Sequence, residues 1–409
     1  MGKNNRVVVG LDIGTTQVSA VAGELTPDGG LEIIGVGRRP SKGLRKGIIV
    51  DVESTAEAVA TAIEDAEVMA GVRIDAVYVG LGGSQVEGLT TEGSIELTAK
   101  EVTSKDIQQV IETTRSLTGS SKHQILHVEP IEFRLDGEVT SPHPVGMAGT
   151  KLSVWAQVMT AAVPALHTLM KVADLAKVEV REVVAQPLAS ARAVLTEDEK
   201  EVGVVLIDIG GGTTDVVVYS EKTLRHVASL AVGGNHVTHD LAVGLRTPVT
   251  EAERLKKQYG CALSSLIDGE TMVDVPMLGE REIQPTPHKL LAEIVECRVE
   301  EIFSLALHQL QHSGNSDGLC TEVVLTGGAS LMPGMVQAAE AIFERPVRLG
   351  LPLDISGLTD LVQNPMYATS VGLALYGRDH LAAEKSGHHA QGGFTEAFRR
   401  AVAWVQNFF

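Results

Sequence analysis

Cysteine is scarce in this sequence. Among 409 residues only Cys261, Cys297 and Cys320 carry a thiol, and no two form a CxxC pair. That spacing indicates neither a zinc site nor a disulfide framework, and free thiols fit a reducing cytoplasm. Excess positive charge is absent too. The formal net charge is −18, which repels DNA, RNA and anionic lipid unless a local basic patch overrides it. No nucleic-acid partner is therefore expected, and any membrane contact must come from a segment of different charge. No apolar run approaches the roughly 20 residues that cross a bilayer. The polar start from Met1 to Arg6 predicts no signal peptide, and Arg6 stands where a myristoylation signal wants Ser or Thr. There is no GxxxxGK[ST], which excludes a Walker-type ATPase, and no GxGxxG after a strand, as a Rossmann site requires. No Ser/His/Asp arrangement can be argued either. What remains is an ordinary soluble balance, 44% hydrophobic and 21% charged, with length enough for two or three domains.

The chain repeats itself once. Val9-Gly10-Leu11-Asp12-Ile13-Gly14-Thr15-Thr16 near the start is echoed by Val205-Leu206-Ile207-Asp208-Ile209-Gly210-Gly211-Gly212-Thr213-Thr214-Asp215. In both copies a β-branched strand runs into Asp-Ile-Gly, passes a Gly/Thr turn and resumes as a strand. The copies lie close to half the chain apart, which predicts two similar halves facing one another.

Such a turn suits phosphate chemistry. Glycine lets the backbone bend tightly, so that its N–H groups face an anion with no Cβ in the way. The hydroxyls of Thr15, Thr16, Thr213 and Thr214 add donors. Asp12 and Asp208, at the strand ends, are placed to hold magnesium, through water because that ion dehydrates reluctantly. Either turn alone is as well explained as a plain hairpin; two in register are read as a clamp on the phosphates of a magnesium-bound nucleotide. A third glycine pair follows a strand, in Val323-Val324-Leu325-Thr326-Gly327-Gly328-Ala329-Ser330. There the backbone could approach a base or ribose, although a Gly-Gly turn is by itself only a turn.

Around these turns the periodicity predicts helices over Ser54–Ala70, Pro164–Ala176, Gln186–Leu195, Thr250–Tyr259, Lys289–Gln311 and Met366–Tyr376. A polar, proline-bearing stretch from Ser84 to about Met159 reads as an inserted strand-helix-strand module. Glu197 to Glu201 reads as a charged loop, and His380 to Gly393 as a flexible linker. His308 and His312 stand four apart on a predicted helix, but with no third ligand nearby they read as surface histidines.

The final stretch differs from the rest. Phe394 to Phe409 holds Phe394, Phe398, Trp404, Phe408 and Phe409, five of the fourteen aromatic residues. On a helix these form one apolar face with Ala397, Ala401, Val402 and Val405, flanked by Arg399 and Arg400. The helix would be about 24 Å long, too short for a hydrocarbon core of about 30 Å. It is expected to lie in the interface with its arginines at lipid phosphates. The competing reading is a helix docked on its own protein or a partner.

The three glycine turns resemble the phosphate-1, phosphate-2 and adenosine motifs of the actin, Hsp70 and sugar-kinase superfamily, from Gly10 to about Gly377. Gln186-Pro187-Leu188-Ala189-Ser190 falls at the connecting helix of that superfamily, where a Glu or Gln orients an attacking water. Gln186 falls at that place, and a polar cap on its helix is the alternative reading. The helix bearing Glu253, Lys256 and Lys257 resembles the segment that contacts adenosine, with solvated surface charges as the plain alternative. Within the superfamily, Lys46 to Asp51, Gly233-Gly234 to Leu241 and Asn364-Pro365-Met366-Tyr367-Ala368-Thr369-Ser370-Val371-Gly372 resemble the FtsA family of bacterial cell-division proteins.

That resemblance implies an α/β fold of duplicated, actin-like (ribonuclease H-like) domains around a nucleotide cleft. Residues 1–83, 160–199 and 365–379 would form the first domain, 84–159 an inserted α+β subdomain, and 200–364 the second domain with 235–314 as its outer part. A linker over 380–393 and an amphipathic helix over 394–409 would follow. ATP and Mg2+ are the implied cofactors, with Gly234 among the nucleotide contacts and hydrolysis slow or regulatory. The implied partners are FtsZ, further copies of the chain in a filament, lipids of the cytoplasmic membrane and later division proteins. The implied place is the cytoplasmic face of the inner membrane at the division site. A phosphotransferase and a pilus-assembly relative remain the alternatives; the first needs a carboxylate base that no residue supplies clearly.

Overall fold

The computed structural model describes residues 6–98, 101–118, 120–140, 143–279, 283–312 and 320–385. The aromatic segment 394–409, with Phe394, Phe398, Arg399, Arg400, Trp404, Val405, Phe408 and Phe409, lies outside them. Among the described residues no helix is long and apolar enough to cross a membrane.

Two sheets carry one topology. The first runs, edge to edge, through Glu179–Ala185, Ala76–Leu81, Val7–Ile13, Gln17–Leu25, Leu31–Pro40 and Ile355–Gly357. The second runs through Thr223–Leu230, Thr214–Ser220, Val204–Ile209, Glu322–Thr326 and Val347–Leu349. In each, the strand ending in Asp-Ile is central. It pairs antiparallel with the strand after the turn and parallel with a later strand on its other side. Buried almost throughout, these central strands are nearly continuous apolar runs rather than alternating ones. Both turns close with the same bond: Gly14 N–H to the Gln17 carbonyl and Gly210 N–H to the Thr213 carbonyl, each 2.9 Å.

Helix Val52–Ala70 covers the first sheet. It starts two residues before the position its Ser54 suggested, because Asp51 is the cap and accepts from the Ser54 N–H at 3.1 Å. Glu197–Val202, expected as a loop, is a short helix: Thr196 and Glu199 cap it reciprocally, and a bidentate pair from Arg348 holds Glu199. Two longer elements join the halves. The connecting helix Gln186–Val194 packs against the closing helix Ala368–Lys385. Their backbones approach so closely that a Cβ on Gly372 would collide with the carbonyl of Ala189. The closing helix also runs on to Lys385, through the start of the segment read as a linker. Asp379 pairs with Arg192 at 2.9 Å and Leu381 packs on the small cluster around Val8, Tyr78 and Leu373, so the helix keeps an anchored face past His380.

The insertion is a four-stranded sheet ordered Val86–Glu96, Lys151–Ala162, His123–Leu135, Glu138–Val139, covered by helix Ser104–Thr118. It has its own core, including Val110, Phe133, Leu152 and Val154. At its base, Leu126, Met159 and Ala161 belong to the core of the first half.

Alanine favours a helix over glycine by about 1 kcal/mol. At Gly372 the sign should reverse. Gly372→Ala is expected to lower stability by roughly 1–3 kcal/mol through overpacking against Ala189. A thermal midpoint equal to or above that of the unaltered chain would refute the close crossing.

Candidate functional site

Between the two sheets lies a cavity of about 510 Å³. Both Asp-Ile-Gly turns line it, and their tips meet. Thr15 Oγ1 accepts from the Gly47 N–H at 3.0 Å. Thr16 Oγ1 lies so near Gly211 that any Cβ there would overlap it. The glycines of the second turn thus admit the threonines of the first.

Three carboxylates converge at the back of the cavity. Asp12, Asp208 and Asp215 are 8%, 8% and 5% exposed. Burial and then repulsion from Asp208 push the Asp12 carboxyl up to about 7, against a hydrogen bond from Gln186. The same causes push Asp215 to about 7, with Asp12 adding a little, against a hydrogen bond from Ser229. Burial raises Asp208 as well, opposed by the hydroxyls of Ser190 and Thr369. The charges acting on this trio are one another's; no Lys or Arg figures among them. Such a cluster needs protons or a cation. Among the described residues no group of three or more His, Cys, Asp and Glu converges to bind a metal directly. Oxygen donors of this kind, with no basic group acting on them, suit a hard cation such as magnesium, which keeps much of its own water shell.

Gln186 does not cap its helix. Ala185 is the N-cap position and has no side-chain bond, while the Gln186 Nε2 donates to Asp12 Oδ1 at 2.7 Å. One turn on, Ser190 Oγ donates to Asp208 Oδ2 at 2.5 Å. A single helix face thereby holds the acids of both turns.

Of the charges singled out on helix Val249–Tyr259, Glu253 and Lys256 are not solvated surface either, whereas the Lys257 side chain is 68% exposed. Lys256, with its side chain 14% exposed, sits 2.7 Å from Glu253 and donates to the Gly234 carbonyl at 3.0 Å. Burial lowers the Lys256 ammonium, against the pull of Glu253. Burial alone would raise Glu253, yet Lys256, Thr238 and Lys257 bring it below its ordinary range. Gly234, Glu253, Lys256 and Lys257 face the cavity opposite Gly327, Gly328 and Ala329, and Ile302, Met332 and Met335 give that end an apolar lining.

Two expected contacts fall behind the wall. Thr214 is fully buried, its hydroxyl donating to the Val232 carbonyl, because strand alternation turns it away from the cleft. Ser330 Oγ donates to the Gly327 carbonyl at 2.6 Å and braces the turn instead of lining it. Residues missed from the sequence include Asp215, Gln17, Gly47, Asn235, Met366 and Thr369. A signal existed for Asp215, since antiparallel register across a tight turn sets it opposite Asp208. The equivalent partner of Asp12 is Ser19, so the copies differ at that point.

Solved structures with this fold include the PilM-PilN type IV pilus biogenesis complex, with a TM-score of 0.66 at 16% identity over 91% of this chain and 98% of that one. MreB5 of Spiroplasma citri bound to ADP gives 0.56 at 14% identity, covering 93% and 98%. At that identity the likeness concerns the fold, and it defines an actin-like α/β protein. Profiles for "Cell division protein FtsA" and "SHS2 domain inserted in FTSA" match residues 205–372 and 83–160. The chain is 40% identical to the cell division protein FtsA of Pseudomonas aeruginosa over 100% of its own length and 99% of the relative's. Identity is 36% with that of Neisseria meningitidis serogroup B over the full length of both. It is 38% with that of Escherichia coli K12 over 93% of each. The chain belongs to the FtsA family of cell division proteins, with the SHS2 domain as its insertion.

Folding raises Asp215 above its unfolded value of 3.8, so the stability cost is absent below that pH, grows as pH rises from there and is complete above about 7. In magnesium-free, nucleotide-free buffer, Asp215→Asn should gain about 1 kcal/mol on the unaltered chain between pH 6 and pH 8. Parallel melting curves across that range would contradict the acid cluster.

Proposed function

We propose that this chain binds Mg-ATP in the cleft, assembles into filaments on the cytoplasmic face of the membrane, and tethers FtsZ there. The observation that carries the nucleotide reading is the convergence of Asp12, Asp208 and Asp215 beneath two facing glycine turns. Backbone N–H groups of Gly211 and Gly212, with the hydroxyls of Thr15, Thr16 and Thr213, suit phosphate oxygens, while the N–H groups of Gly14 and Gly210 close the turns. Asp12 and Asp208 would hold the waters of magnesium, and Asp215 adds a third charge beside them. Magnesium would supply the neutralisation that lets acids and phosphates share the cleft. Gln186, already bonded to Asp12, would orient a water beside the phosphates. Gly234, Glu253, Lys256, Lys257 and the Gly327–Ala329 turn would take the adenosine, with Met332 and Met335 against the base.

The two halves, linked by the connecting and closing helices, would close on the ligand as a hinge. Closure alters which surfaces of neighbouring copies can pair, so nucleotide acts on assembly and hydrolysis is slow or regulatory. The outer part of the second half, about 234–314, is the proposed FtsZ contact, and the insertion the contact for later division proteins. The membrane foot is residues 394–409, whose apolar face and flanking Arg399 and Arg400 suit an anionic interface.

Mg-ATP should bind the unaltered chain and bind Asp208→Asn at least ten-fold more weakly, as read by calorimetry; equal affinity would remove the cleft from the site. On vesicles containing anionic lipid, the full chain should sediment and carry FtsZ with it. A chain ending at Gly393 should do neither, and equal sedimentation of both would sink the membrane foot.

A further inference from the structure

The inserted module touches the connecting helix through one buried hydrogen bond. The N–H of Ala185, last residue of edge strand Glu179–Ala185, donates to His127 Nε2 at 3.1 Å. His127 belongs to the insertion strand His123–Leu135 and is 6% exposed. Because Nε2 accepts, the neutral ring carries its proton on Nδ1. Burial, with Arg115 adding to it, pushes the imidazole down to about 4, so the acceptor is present at neutral pH. The ring also stands edge-on to Tyr376 of the closing helix, 5.9 Å between centroids. Tyr376 in turn donates to Glu182 at 2.9 Å.

Position makes this bond consequential. Ala185 is the N-cap of the connecting helix and has no side-chain cap of its own. The next residue, Gln186, holds Asp12, and Ser190 holds Asp208. A shift of the insertion strand therefore acts on the residue that precedes the cleft contact. The insertion also abuts the second half: a Cβ on Gly88 would sit 2.9 Å from the Val227 carbonyl. Glu129, two residues beyond His127, is among the charges that raise Tyr219 of the second sheet, after burial. The module thus rests on both halves and contacts the helix between them.

We propose that His127 is a positioning residue that makes the nucleotide affinity of the cleft depend on how the inserted module is seated. It acts through Ala185 and Gln186 and touches no ligand itself. A partner that tilts the module would weaken or strengthen Mg-ATP binding by this route, and by linkage Mg-ATP would bias the tilt equally. The inference rests on the nucleotide reading of the cleft.

The test uses the full chain, with Mg-ATP affinity by calorimetry and hydrogen exchange over residues 185–190. His127→Leu, which has no acceptor, should weaken Mg-ATP five- to twenty-fold and speed exchange at the Ala185 amide. His127→Gln, whose amide oxygen can reach the Nε2 position, should recover most of both. In a Gln186→Ala background, His127→Leu should cost less than two-fold further. An undiminished penalty in that background would overturn the route, as would unchanged affinity in His127→Leu. Should His127→Leu fail to fold, His127→Gln against the shorter His127→Asn decides: only Gln keeps affinity and protection, and equal behaviour overturns the proposal. If the unaltered chain binds no Mg-ATP, the cleft reading falls, and exchange alone decides this inference. Protection lost in His127→Leu and restored in His127→Gln then upholds the link, and unchanged protection ends it.

Discussion

The structure turns on one helix face carrying two hydrogen bonds. Gln186 and Ser190, four residues apart and so on the same side of one helical turn, hold Asp12 and Asp208. Each acid ends the central strand of a different sheet. The two halves are therefore referenced to one short rigid element as well as to each other at the turn tips. Whatever angle they adopt, the acids move relative to a shared ruler only nine residues long.

That arrangement carries an electrostatic cost. Three carboxylates brought under one roof without a basic neighbour oppose folding, and the opposition grows as they ionise. A tool built only for stability would have replaced them with apolar side chains. Their presence marks a place where stability is given up, as the proposed cation-bearing ligand would require. The rest of the interior is fitted to bear the loss, with aliphatic cores in each half and in the insertion.

Much of this was legible in the sequence. The repeated Asp-Ile-Gly turns predicted the duplication, and the two sheets repeat one strand order around them. Helix ends were read to within about two residues wherever a Ser, Thr or Pro marked them. Where the determinant was distant, reading failed. Nothing near His380 says that Leu381 packs on Tyr78, so the closing helix extended beyond its predicted end. Glu197–Val202 is acidic enough to look like a loop, and its capping box and Arg348 supply what composition hides. Lys256 and Glu253 have the spacing of an ordinary surface pair, and only tertiary packing buries them. Asp215 lay in plain view within the motif, but its role depends on strand register. Thr214 lies beside it and faces the other way for the same reason.

The mismatch between Ser19 and Asp215 has a consequence for direction. A clamp made of two equal halves would accept a ligand either way round, and nothing built on it could tell front from back. Here one half offers an acid across from its strand-end carboxylate and the other offers a hydroxyl. The centre of negative charge is displaced toward the second half, and a magnesium-phosphate head bound as proposed would have one preferred orientation. If neighbouring copies stacked according to that orientation, the assembly would take its sense of direction from a single unequal pair.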